Sequence, residues 1–177
     1  MRETRLSRGY IQVYTGDGKG KTTAALGLAV RAFGNGLRTY IGQFMKGQHY
    51  GELEALRDHP GITVEQYGDP RCIRREEVTF AHRAQARAGL DRALDAMLSG
   101  DYDLVVLDEV NVAIWFGVLT TEEVLDFLDQ QPAHVEVVLT GRRAPQALIE
   151  RADLVTDMVA VKHYYDDGVQ ARVGIER

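Results

Sequence analysis

Tyr10-Ile11-Gln12-Val13-Tyr14-Thr15-Gly16-Asp17-Gly18-Lys19-Gly20-Lys21-Thr22-Thr23 is the stretch on which the reading of this 177-residue chain turns. Over 10–14, branched or aromatic residues alternate with a polar one, the pattern of a strand, and the chain then runs into three closely spaced glycines. From 21 to 33 the residues are good helix formers with Leu26, Val30 and Phe33 at helical spacing, and Gly34-Asn35-Gly36 supplies the stop. Strand, glycine loop and helix in that order are the context in which such a loop handles phosphate. Glycines let successive backbone N–H groups turn around an anion, and the helix aims its positive end at the same point. Lys21 adds a cation, and Thr22 places a hydroxyl where a magnesium ion bridging phosphates needs a ligand. Two of the chain's four lysines, Lys19 and Lys21, lie in this loop. In the general pattern of glycine, four residues and Gly-Lys-Thr, the first glycine would fall at Thr15, so the loop is one residue short.

Outward from this unit, strands are expected over 38–44, 62–67, 135–139 and 154–161. A short helix is expected over 52–57. A long helix lies between 76 and 99, with Ala86, Leu90, Leu94, Met97 and Leu98 on one face. Leu104-Val105-Val106-Leu107 is a continuous apolar run of the kind that fills a parallel strand buried on both faces. Thr120 and Glu123 form a capping box for a helix reaching 130, and Pro145 opens another to 152. This alternation predicts an α/β fold: a mostly parallel sheet with helices on both faces, one domain over 1–177, and a flexible tail at 1–8. Ligands of such sheets bind beyond the carboxyl ends of the strands.

Composition narrows the function. Hydrophobic residues make up 45% and charged residues 27%, as in an ordinary soluble domain. A net charge of -5 without a run of five like charges argues against nucleic acid as a partner. The only cysteine, Cys72, excludes an internal disulfide framework and fits a reducing compartment. The first eight residues have no apolar segment, and no apolar run approaches the roughly 18 residues that span a bilayer. A cytoplasmic protein with no membrane association is expected.

Three further strand ends carry chemistry. Asp108 and Glu109 close the apolar strand, where an acid can contact a metal directly or through water. Arg142, in Thr140-Gly141-Arg142-Arg143, can grip a phosphate through its forked guanidinium. Gln43-Phe44-Met45-Lys46-Gly47 puts an amide, an aromatic ring and a cation beside the same cleft, and His163 stands with Lys162, Tyr164 and Tyr165 in a late cluster.

Taken together, residues 15–25, 43–47, 107–109, 140–142, 161–163 and 168–175 resemble the bacterial and archaeal ATP:corrinoid adenosyltransferases of the P-loop, RecA-like type, short loop included. The resemblance spans nearly the whole chain. It implies transfer of the 5′-deoxyadenosyl group of ATP to the cobalt of a reduced corrinoid or cobalamin, with release of triphosphate. By position it implies that Gly16, Asp17, Gly18, Lys19, Gly20, Lys21, Thr22 and Thr23 bind the nucleotide, with Arg31 on a further family position. It implies that Thr22, Glu109 and Asp108 serve magnesium, and that Lys21, Glu109 and Arg142 act in catalysis. A homodimer and an electron-donating reductase or flavoprotein partner are implied as well. Some members carry an aromatic pair after a glycine to cover the lower face of cobalt, whereas here Gly68 is followed by Asp69-Pro70-Arg71-Cys72-Ile73. Cobalt(I) attacks carbon through its own lone pair, so no general base is needed, and no Ser-His-Asp or Cys-His arrangement is evident. A P-loop ATPase or kinase, and a non-catalytic nucleotide-binding module, are the alternatives that the same loop allows.

Overall fold

The computed structural model describes residues 5–176. In chain order it contains β1 (Ile11–Thr15), α1 (Lys21–Phe33), β2 (Thr39–Phe44), α2 (Gly51–Leu56), β3 (Ile62–Tyr67), α3 (Phe80–Leu98), β4 (Leu104–Asp108), α4 (Val110–Phe116), α5 (Thr121–Leu128), β5 (Glu136–Thr140), α6 (Gln146–Arg151) and β6 (Leu154–Asp157). The six strands form one sheet in the order β3-β2-β4-β5-β1-β6, and every pairing is parallel.

The apolar run of β4 shows why both faces are covered. Side chains alternate across a strand, so Val105 and Leu107 enter a cluster with Ala86, Leu90 and Met97 of α3, Phe127 and Leu128 of α5, and Leu148 of α6. Leu104 and Val106 enter the opposite cluster with Ala25, Ala29 and Ala32 of α1. Each fully buried branched side chain contributes roughly 1.5–3 kcal/mol, so both layers are held mainly by this strand and its neighbours.

Three expectations shift. The long helix starts at Phe80, because Arg75–Glu77 makes a separate 3₁₀ turn and Thr79 is the cap. The Thr79 N–H donates to His82 Nδ1 at 3.0 Å, so a histidine fills the place usually taken by Glu or Gln. Its buried face is also narrower than expected. Leu98 is exposed, and Gly89, Ala93 and Ala96 meet the sheet instead. A Cβ on Gly89 would stand 2.5 Å from Tyr67 Cγ, so small residues set how closely α3 approaches. The final strand ends at Asp157 rather than 161, where the chain turns inward and Met158 takes up the glycine loop. Of the tail expected at 1–8, residues 1–4 lie outside the described residues, and Arg5 Nη2 donates to the Gly100 carbonyl at 2.7 Å.

Candidate active site

The glycine loop joins β1 to α1 at the carboxyl edge of the sheet. Gly16 adopts φ 92°, open to glycine at no steric cost, and a Cβ there would come within 2.5 Å of the Met158 carbonyl oxygen. The Gly18 N–H donates to that same carbonyl at 2.6 Å. The loop is thus braced from behind by the segment after β6. Lys21 is buried at the start of α1, and its Nζ donates to the carbonyls of Gly16 and Gly18, each at 2.7 Å. Burial lowers the Lys21 ammonium, an effect opposed by Glu109 and reinforced by Arg142.

Beneath the loop, Asp108 collects four donors. Thr140 Oγ1 donates at 2.6 Å, Thr22 Oγ1 at 2.8 Å, Lys46 Nζ at 2.8 Å and Gln43 Nε2 at 3.2 Å. Gln43 also donates to Glu52 at 3.1 Å and accepts from Gln66 at 3.1 Å, so a buried polar seam runs from β3 through β2 to β4. Lys46 lies 3.8 Å from Glu52 as well. Burial pulls the Lys46 ammonium down, but Asp108 more than offsets it and the net shift is upward.

Glu109 differs from its neighbour. It takes the left-handed conformation at φ 61°, its N–H donates to Thr140 Oγ1 at 2.9 Å, and its carboxylate accepts no hydrogen bond among the described residues. Burial and the adjacent Asp108 raise its carboxyl, with Lys46, Lys21 and Arg142 pulling the other way. Met45 and Arg143 share the same rare backbone region, at φ 57° and 58°. Three such residues just past β2, β4 and β5 cost about 1–3 kcal/mol each and mark the rim of the site.

These elements enclose a cleft of about 530 Å³ lined by Gly18 to Thr23, Lys46, Tyr50, Glu52, Glu109, Arg142, His163 and Gly174 to Glu176. Gly16 and Asp17 face a neighbouring groove with Arg143 and Asp157. Arg31 lies ten residues beyond Lys21, about 15 Å along α1, and does not line the cleft. Glu52 escaped the sequence reading, because its only signal was a place early in a short helix. Gln43 and Lys46 were noticed, but their convergence on Asp108 was not.

A parallel sheet with one strand, β5, between the loop-bearing β1 and the acid-tipped β4 places the chain among the phosphate-loop nucleotide-binding α/β proteins. Comparison with known sequences narrows the class. Residues 7–177 match the family described as ATP:corrinoid adenosyltransferase BtuR/CobO/CobP. The corrinoid adenosyltransferase of Pseudomonas aeruginosa is 36% identical over 185 residues, covering 98% of this chain and 86% of that protein. The corresponding enzyme of Salmonella typhimurium is 38% identical (96% and 86% covered), and that of Escherichia coli is 37% identical (96% and 86%). The chain belongs to the ATP:corrinoid adenosyltransferase family.

Proposed function

We propose that this enzyme uses the cleft over residues 18–23 to hold ATP while its 5′-deoxyadenosyl group passes to the cobalt(I) of a reduced corrinoid. In that step the cobalt lone pair forms the bond to C5′, the bond from C5′ to the α-phosphate oxygen breaks, and triphosphate leaves with the electron pair. The observation that carries the reading is the clustering of Lys19, Lys21, Lys46 and Arg142 around one helix N-terminus, in a chain of this family. The chemistry asks for alignment and for stabilisation of a polyanionic leaving group, which fixed cations and backbone donors supply. Lys21 exchanges its two loop carbonyls for phosphate oxygens, and Arg142, which has no hydrogen-bond partner among the described residues, steadies the triphosphate.

The residues fit magnesium. Glu109 is a largely buried carboxylate with no hydrogen-bond partner among the described residues, and Thr22, whose hydroxyl donates to the neighbouring Asp108, lines the same cleft. Among the described residues no group of three or more His, Cys, Asp or Glu side chains gathers as a cage, which suits a cation that completes its shell with phosphate and water. When bound, the ion neutralises charge on the departing phosphates. Glu109 and Thr22 would hold it, while Asp108 acts by aiming Thr22 and Lys46. A cytoplasmic setting, a homodimer and an electron-donating reductase complete the proposal. Among the described residues no helix is long and apolar enough to cross a membrane, which agrees with that setting.

Anaerobic incubation with ATP, magnesium and chemically reduced corrinoid tests the reading. Phosphorus-31 NMR should show inorganic triphosphate rising in step with the alkylated cobalt spectrum. Stoichiometric ADP without a cobalt-carbon product would leave the ATPase or kinase alternative instead.

A further inference from the structure

Lys19 is engaged by the chain itself. Its Nζ donates to the carbonyl of Ile175 at 2.9 Å and lies 3.9 Å from a Glu176 carboxylate oxygen. Gly174, Ile175 and Glu176 line the cleft together with Lys19, Lys21 and Arg142, so residues 174–176 form one wall of the proposed triphosphate site. Glu176 is held in place by several donors. Arg172 donates to it from its backbone N–H at 2.8 Å, from Nε at 3.2 Å and from Nη2 at 3.1 Å, and the Tyr164 hydroxyl donates as well. The Arg172 guanidinium in turn lies 5.0 Å over the Tyr164 ring. Arg172 first, and Tyr164 second, hold the Glu176 carboxyl down to about 2, so the wall carries a fixed anion at neutral pH.

We infer that Glu176 is a positioning residue that competes with triphosphate for Lys19, so that occupancy of the phosphate site and docking of the segment around 172–176 oppose one another. The inference rests on the nucleotide reading of the cleft. A carboxylate beside a triphosphate repels it, and one ammonium cannot give its three N–H bonds in full both to the wall and to phosphate oxygens. Binding of ATP draws Lys19 off the wall. After transfer, the Ile175 carbonyl and Glu176 recapture Lys19 and loosen the inorganic triphosphate, the most highly charged product.

Calorimetric titration of inorganic triphosphate into the full chain tests this with the wild type, Glu176→Gln, Lys19→Met and the double variant. Glu176→Gln keeps the shape of the wall, and its affinity should rise up to about fivefold, the range for a partly exposed ion pair. In the Lys19→Met background the same change should have little effect, because the shared partner is gone. In turnover, Glu176→Gln should lower KM for ATP and also lower kcat as product leaves more slowly. Amide exchange at 172–176 should quicken when triphosphate is added. Unchanged or weaker triphosphate binding by Glu176→Gln, or slower exchange as in a lid that closes, would overturn the competition while leaving the nucleotide site standing. Failure of the wild type to bind either ATP or triphosphate would overturn both.

Discussion

Replacing Asp108 by asparagine tests the centre of the site as a piece of folding machinery. The Asp108 side chain is 1% exposed and that of Lys46 12%, at 2.8 Å, so removing the anion leaves a buried ammonium facing a neutral amide. Breaking one side of a buried pair destabilises by roughly 3–5 kcal/mol. Glu52, at 3.8 Å from Lys46, retains part of the attraction and favours the lower end, about 3 kcal/mol. The loss is compounded because Thr22, Thr140 and Gln43 donate to the same carboxylate, whereas an amide presents one acceptor oxygen and two donors of its own. For a domain of this size the melting temperature should fall by roughly 6–12 °C. Lys46 has a folded value raised above its ordinary 10.5. Its contribution is therefore complete below about pH 10 and fades only as pH rises through the folded value, so the deficit of Asp108→Asn should be flat from pH 7 to 9. Urea unfolding of Asp108→Asn, Lys46→Met and the double variant supplies the measurement, and the double variant should lose much less than the two singles combined. Strict additivity, or an Asp108→Asn protein within about 0.5 kcal/mol of wild type, would show that the Lys46–Asp108 pair does not hold the site together.

Three other variants probe neighbouring parts. Lys21→Ala should lower kcat by roughly 100- to 1000-fold with the fold intact by circular dichroism, since one charge-stabilising donor is worth about 3 kcal/mol in the transition state; wild-type turnover would remove Lys21 from the phosphate site. Glu109→Gln should lower magnesium-supported turnover and raise the metal concentration it needs, with partial rescue at high metal. Because the folded carboxyl of Glu109 is raised, its ionisation opposes folding once pH passes that value, so the same variant should melt higher than wild type at pH 7 and lose the advantage below about pH 4. Normal metal dependence with no gain in stability would show that Glu109 is neither ligand nor strained anion. Gly89→Ala should destabilise by about 1–3 kcal/mol in chemical denaturation despite alanine's better helix propensity, because the new methyl meets the base of the Tyr67 ring; a more stable protein would show that α3 shifts freely.

The elements with local signals were legible. The helix at 21–33 and the strand at 62–67 agree in their bounds with the structure, since glycine stops and residue patterning act within a few residues. The short helix α4 was not foreseen, because Val110, Val112 and Ile114 are branched residues that by propensity read as strand; in the structure left-handed residues, Glu109 and Gly117, bound it at both ends. The phosphate loop and the acids of β4 were recognisable because motif and neighbouring element coincide. The Lys46–Asp108 pair, the Glu52 contact through Gln43 and the Lys19–Ile175 bond were not, since sheet order brings those residues together from distant parts of the chain.

Strand order also dictates when the phosphate loop can come into being. Tyr10 takes its N–H partner from Glu136, 126 positions away, and Gly18 depends on the carbonyl of Met158. While the ribosome is still making the chain, β1 has neither of its neighbours in the sheet, and the glycines after it have nothing behind them. Nucleotide affinity should therefore appear only after β6 has emerged, and almost all at once. Such long-range pairing slows folding, which leaves Ile11 and Val13 of β1 exposed to chaperones until β5 and β6 arrive.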